Sequence, residues 1–309
     1  TGCGKAKSVV ENGYPVYGES SSVNVLSGAE DTVSSYFGAN LCVGGTENIG
    51  QESVEHNSVA EAAGVFNTAT NTITYAQNIY ERMYPASTTK ILTAYLAIKY
   101  GNLSDVVTIS DNAVNLASDS SKCGLQAGDQ MTLQDLLYGL MLRSGNDAAI
   151  AIAEHISGSV EAFVDLMNQE AQQLGATGSH FMNPNGLPDE NHYTTVYDLY
   201  LIFQKALQDE TFYQLISTSS YTTNYTAADG SAKTQDWSST NQYKTGESKL
   251  PDGFTLVGGK TGTTGDAGFC LVLLTDNAGG QPVISIVLKA DCKSNLYLMM
   301  NEILAGCGN

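Results

Sequence analysis

Strand-type patterning lies toward both ends of this chain and helical patterning fills the interval, an order that constrains the fold more than any other feature. Alternating apolar residues run from Val59 to Phe66, turn through Asn67 and Asn71, and resume from Thr72 to Ala76, which predicts a hairpin. Near the other end, Phe254 to Val257, Phe269 to Thr275 and Pro282 to Lys289 read as strands, the last two joined by the polar turn Asp276 to Gln281. A helix from Ser294 to Leu304 closes the chain. In the middle, Thr132 with Asp135 resembles a capping box ahead of the stripe Leu133, Leu136, Leu137, Leu140 and Met141. A second helix starts near Asn146, and a third places Val160, Phe163, Val164, Met167, Ala171 and Leu174 on one face before Gly175. Strands so far apart form one sheet only if the two ends of the chain meet. The expected class is therefore α/β (α+β), an antiparallel sheet flanked by helices and completed by the termini, beside a helical lobe.

Residues 1 to about 55 are rich in Ser, Gly, Asn, Val and Glu without a sustained period, and read as a tether ahead of a folded unit over 56–309. Thr1-Gly2-Cys3-Gly4 resembles the end of a bacterial lipoprotein signal, with Cys3 as the acylated residue and membrane attachment as the consequence. An ordinary linker cysteine is the competing reading.

Composition narrows the partners. A chain of 309 residues that is 42% hydrophobic can bury a full core. Its net charge of −18, with 14 Lys and Arg in all, argues against nucleic acid, because phosphate binding needs clustered cations. No run of about 18 apolar residues occurs to span a membrane. The six cysteines form no CxxC pair; one or two disulfides and small buried hydrophobes are both open for them. His56, His155, His180 and His192 show no paired ligand spacing, so neither a metal nor a cofactor is expected. A GxSxG elbow is also missing.

Nucleophilic catalysis by serine needs a base within reach, and Ser87 and Lys90 lie on one helical turn. Pro85 and Ala86 lead into a run, Thr88 to Tyr100, that is apolar nearly all round and therefore reads as a buried helix. Ser87 sits near its positive end, and burial favours a neutral lysine. Alone, the pair reads more readily as an N-capping serine with a snorkelling lysine. Two further motifs sharpen it. Lys260-Thr261-Gly262 lies between apolar strands, on an inner strand edge facing a cleft, whereas the second such triplet, Lys244-Thr245-Gly246, is flanked by polar residues and reads as an exposed loop. Ser-x-Asn occurs three times, and only Ser144-Gly145-Asn146 falls at a short connection between apolar helices.

The ordered set Pro85-Ala86-Ser87-Thr88-Thr89-Lys90, Ser144-Gly145-Asn146 and Lys260-Thr261-Gly262 resembles the low-molecular-mass penicillin-binding D-alanyl-D-alanine carboxypeptidases, of the β-lactamase/transpeptidase-like fold. The related class A set has Asp where this chain has Gly145. The likeness extends from about Ser58 to Leu304, through Asn183-Pro184-Asn185-Gly186-Leu187, Trp237 with Asn241, and Asp266-Ala267-Gly268. It implies Ser87 as nucleophile, Lys90 as its base, Ser144 as proton relay, and Asn146 as holder of the substrate amide. It also implies that Lys260, Thr261, Gly262 and Thr263 bind the terminal carboxylate, with the backbone N–H groups of Ser87 and Thr263 as oxyanion hole. Which group starts deprotonation stays open. The implied partners are the peptidoglycan stem peptide as substrate and β-lactams as covalent inhibitors, met outside the cytoplasm. The family often has a small β domain after the catalytic unit; ending at Asn309, this chain is expected to lack it and to attach through its N-terminus.

Two readings compete. A class A-like β-lactamase would add a carboxylate within ExxLN to activate water; no such stretch occurs, and Glu161 and Glu170 read as the solvated face of a helix. A slow penicillin-recognising sensor or wall-binding protein on the same fold would keep the motifs without the turnover.

Overall fold

The computed structural model describes residues 40–308; Cys3 and most of the expected tether lie outside the described residues. Residues 40–55, expected to belong to the tether, lie against the body. Cys42 is fully buried and its N–H donates to the Tyr200 hydroxyl at 2.8 Å, Ile49 bridges to Ala76, and Val54 is buried. Single anchoring residues in a Gly- and Ser-rich stretch leave no periodic signal.

The hairpin forms as β1 (Ala60–Asn67) and β2 (Thr72–Gln77). Asn67 Oδ1 accepts from the N–H groups of Ala69 and Thr70, both at 3.1 Å, which shapes the turn. A 3-10 turn, Ala86–Thr89, then leads into α1 (Lys90–Tyr100), which is buried from Lys90 to Ala97 as its apolar circumference requires. The lobe comes next: β3 (Val106–Thr108), α2 (Asp111–Val114), β4 (Gln130–Thr132), α3 (Leu133–Leu142), α4 (Asn146–Ser157), α5 (Val160–Gln173), α6 (Val196–Ala206) and α7 (Glu210–Ser217). The box at the start of α3 is present, with Asp135 N–H on Thr132 Oγ1 at 3.1 Å. The chain returns through β5 (Ser220–Thr226), β6 (Ala232–Ser238), α8 (Gln242–Thr245), β7 (Thr255–Thr264), β8 (Gly268–Asp276) and β9 (Pro282–Ala290), and closes on α9 (Lys293–Cys307).

The main sheet is antiparallel in the order β2-β1-β9-β8-β7, so the first hairpin does pair with the last strand. Successive residues serve opposite faces. Leu271, Leu273 and Val287 pack toward Met299, Met300 and Ile303 of α9, whereas Val272, Leu274, Ile286 and Leu288 join the core shared with α1, α3, α4 and α6. A second sheet, β3-β4-β5-β6, borders the lobe. Its first two strands have three residues each, too few for alternation to mark.

One sequence expectation about a helix face needs correction here. Glu170 is not on a solvated face: it is 2% exposed and accepts from Lys99 Nζ at 2.7 and 2.8 Å and from Tyr95 at 3.1 Å. Apolar periodicity cannot distinguish a solvated carboxylate from one covered by a lysine of another helix. The five described cysteines, Cys42, Cys123, Cys270, Cys292 and Cys307, carry free thiols, and the first three are buried. Among the described residues no helix is long and apolar enough to cross a membrane.

Candidate active site

The 3-10 turn places Ser87 at the mouth of a cleft while burying Thr88, Thr89 and Lys90 behind it. Lys90 Nζ lies 2.8 Å from Ser87 Oγ, 2.7 Å from Asn146 Oδ1 and 2.6 Å from the Asn185 carbonyl oxygen. Burial, seconded by the nearby Lys260, holds Lys90 well below the ordinary lysine range. A neutral amine donates two protons and offers one lone pair. The amide and backbone carbonyls only accept, so the lone pair is left to the Ser87 hydroxyl.

Backbone geometry supports this turn. Ala86 holds φ 48, a left-handed conformation immediately before Ser87. Gly186, at φ +85, packs flush on the Ala86 carbonyl, where any Cβ would collide. The loop carrying Gly186 is tied down at two further points: Thr93 Oγ1 of α1 donates to the Pro184 carbonyl at 2.6 Å, and Thr89 Oγ1 of the 3-10 turn meets His192 Nε2 at 2.9 Å. His192 Nδ1 accepts from Met182 N–H at 3.0 Å, which leaves the proton on Nε2 to be donated to Thr89. Burial pushes the imidazole down to about 4, so it stays neutral.

A second lysine–hydroxyl pair faces the first. Lys260 Nζ donates to Ser144 Oγ at 2.9 Å and to the Thr261 carbonyl at 2.8 Å, and burial lowers its ammonium to about 7. A carboxylate arriving beside it would restore the charge. Ser144 sits at φ 57 in the bend between α3 and α4, aimed into the cleft. Gly145 comes next for a steric reason: a Cβ there would run into Cys123 Sγ, which excludes the Asp of the related motif.

The expected Lys260-Thr261-Gly262 lies within β7, the edge strand of the main sheet, rather than on an inner one. Lys260 and Gly262 are buried, while Thr261 is half-buried and Thr263 exposed. A Cβ on Gly262 would stand 2.9 Å from Ser87 N and 3.0 Å from Pro85 O, so the strand and the turn carrying Ser87 are in direct contact. Ser87, Ser144, Thr261, Gly262 and Thr263 line one cavity of about 200 Å³. Ser87, Asn146 and Thr263 also line a second, of about 320 Å³. All eight expected site residues therefore meet around Ser87.

Several contributors were missed from the sequence. Asp147, 1% exposed, accepts from the N–H groups of Cys123, Gly124 and Leu125 at 2.9, 3.0 and 3.2 Å and holds that loop over the cleft. Ser121 O accepts from Asn146 N–H at 2.9 Å, and Ser120 Oγ from Asn146 Nδ2 at 3.3 Å. Thr240, inside one of the two other Ser-x-Asn triplets, meets Thr261 Oγ1 at 2.5 Å in the cavity wall. The only hint was the position of Asp147 directly after the motif. The triplet at Lys244 is not a plain exposed loop: Lys244 and Thr245 lie in the last turn of α8 and Gly246 follows it, and while Thr245 and Gly246 are exposed, half-buried Lys244 donates to the carbonyls of Ser217 and Val257. Among the described residues one trio could hold a metal ion, Glu55, His56 and Glu302, and none of the three lines the cleft.

Comparison with known proteins identifies the family and the fold. A family profile described as D-alanyl-D-alanine carboxypeptidase matches residues 49–292. The Bacillus subtilis D-alanyl-D-alanine carboxypeptidase DacF is 34% identical over 265 residues, covering 82% of this chain and 64% of that one. The D-alanyl-D-alanine carboxypeptidase of Streptomyces sp. strain K15 is 35% identical over 267 residues, covering 82% and 89%. DacA of Haemophilus influenzae is 34% identical, and the chain spans 52% of its length. The chain thus spans less than two thirds of the Bacillus and Haemophilus relatives. Among solved structures, the Streptomyces K15 DD-transpeptidase superposes with a TM-score of 0.72 at 32% identity, covering 80% of this chain and 97% of that one.

Proposed function

We propose a serine acyl-transfer reaction for this chain, which belongs to the D-alanyl-D-alanine carboxypeptidase family. The substrate is a peptidoglycan stem peptide ending in D-alanyl-D-alanine, and the product of the first half-reaction is an ester on Ser87. Lys260, Thr261 and Thr263 take the terminal carboxylate, and Asn146 takes the substrate amide. Ser87 Oγ attacks the penultimate carbonyl as its proton passes to neutral Lys90, and the developing oxyanion meets the N–H groups of Ser87 and Thr263. Ser144, held by Lys260, relays to the departing D-alanine amine the proton that Lys90 took from Ser87. Water then hydrolyses the ester.

The observation that carries this reading is the environment of Lys90, whose two other partners only accept. Penicillin enters the same path, but its leaving nitrogen stays tethered and blocks the approach of water. Glu170, paired with Lys99 nine residues and about 13 Å along α1 from Lys90, is no base for deacylation. Intact mass after brief penicillin exposure should show an adduct on Ser87 that outlasts removal of the drug by minutes. Ser87→Ala should abolish both that adduct and D-alanine release; labelling retained in the variant would refute the nucleophile. Steady penicillin hydrolysis faster than about one per second would place the chain with the β-lactamases, a deacylation barrier lower by several kcal/mol.

The same reading puts the protein outside the cytoplasmic membrane, where its substrate lies, and makes Cys3 its lipid anchor. Protein from the native host should carry a diacylglycerol mass that Cys3→Ser removes, since durable attachment takes two or more acyl chains. Recovery of unlipidated protein from the medium would mean plain secretion.

A further inference from the structure

The cleft continues on both sides of Ser87, and its two arms are ordered along β7. One arm, beside Ser144 and Thr240, runs past Thr261, Gly262 and Thr263. The other, beside Asn146 and Asn185, runs past Thr263, Thr264 and Gly265. β7 is an edge strand, so a substrate peptide can lie antiparallel along its free side. With the carboxylate at Lys260 and Thr261, the acyl D-alanine falls at Ser87 and Thr263. Extended residues advance about 3.3 Å each, which carries the residue before the acyl D-alanine into the second arm.

That arm has a distinct chemistry. Leu187 and Pro188 give it an apolar wall, Ser120 and Ser121 add hydroxyls, and Asp119 is the one charged side chain among the described residues lining it. Asp119 is exposed and has no hydrogen-bond or ion-pair partner among the described residues. The basic residue nearest in sequence, Lys122, donates to the Ala117 carbonyl at 3.1 Å and does not line the arm. The loop is held from below, by Asp147 on the N–H groups of Cys123 to Leu125 and by Ser121 O on Asn146. A methylene chain against the apolar wall, ending in an ammonium at the carboxylate, complements all of these features.

We propose that Asp119 selects stem peptides in which the residue before the acyl D-alanine carries a free side-chain amine, a diamino acid neither acylated nor cross-linked. This rests on the carboxypeptidase reading above. Asp119 is a specificity residue and takes no part in proton transfer.

The test compares D-alanine release from Nα-acetyl-L-lysyl-D-alanyl-D-alanine and from its Nε-acetylated counterpart. The wild type should favour the free amine by about fivefold in kcat/KM, the scale of a partly exposed charge-assisted contact, and the preference should shrink with added salt. Asp119→Asn should bring the ratio close to one, and Asp119→Glu should restore part of it; penicillin labelling reports that each variant is folded. Equal use of the two peptides by the wild type, or an unchanged ratio in Asp119→Asn, would overturn the assignment. An equal loss on both peptides would do so too, since it would put Asp119 at the reacting atoms or in the framework. Release from neither peptide would refute the carboxypeptidase reading itself, and the selectivity with it.

Discussion

The tripeptide Lys-Thr-Gly occurs twice, sixteen residues apart, and its two copies have become different objects. In both, burial lowers the lysine, Lys260 to about 7 and Lys244 to about 8. The difference lies in what each amine meets. Lys260 is fully buried within a strand and reaches the Ser144 hydroxyl across the cleft. Lys244 ends a short helix and donates only to main-chain carbonyls of Ser217 and Val257, where it clips the end of α7 to β7. The glycines diverge in the same way. Gly262 is pressed against the backbone of Ser87, while Gly246 sits at φ +80 with no atom near its missing side chain. A motif is thus defined by its contacts, and a depressed lysine by itself does not mark a catalytic one.

The lysines offer the largest contrast. On the proposed mechanism, which aims Lys260 at the substrate carboxylate and the Ser144 hydroxyl, Lys260→Ala should lower kcat/KM for D-alanine release at least about a hundredfold. Lys244→Ala should leave turnover within about twofold and cost about 1 kcal/mol in denaturant stability, because two carbonyls lose a donor. Comparable losses of turnover at the two sites would break the distinction. The glycines should differ by less. Gly262→Ala must move the Ser87 backbone, and a few tenths of an ångström there should slow penicillin acylation at least about tenfold. Gly246→Ala should cost only about 1 kcal/mol from the strained φ, read as a lower melting temperature with normal acylation.

Much of the site was legible because its chemistry is local. Ser87 and Lys90 are joined by one turn of helix, and a helix apolar on every side must be buried, so hydroxyl and depressed amine came together. The strand around Lys260 was legible from its apolar neighbours, although its place at the sheet edge was not. Illegible contributors act through loops and main-chain groups. Asp147 binds three N–H groups of a segment without period, Thr240 belonged to a triplet that looked incidental, and Glu170 was hidden by a lysine from another helix. Residues 40–55 escaped in the same way, since isolated anchors such as Cys42 make no pattern.

Short-range order along the chain dictates a hairpin, a fully buried helix behind Ser87, a capping box at Thr132, and the succession of strands, helices and strands that forces the two ends into one sheet. Which residues share a proton is settled only in the folded molecule. Lys90 meets Asn146 and Asn185 across 56 and 95 residues, and Lys260 meets Ser144 across 116. The number and kind of acceptors around a buried amine set its charge and the direction of its lone pair, and those acceptors arrive only when the lobe closes on the sheet.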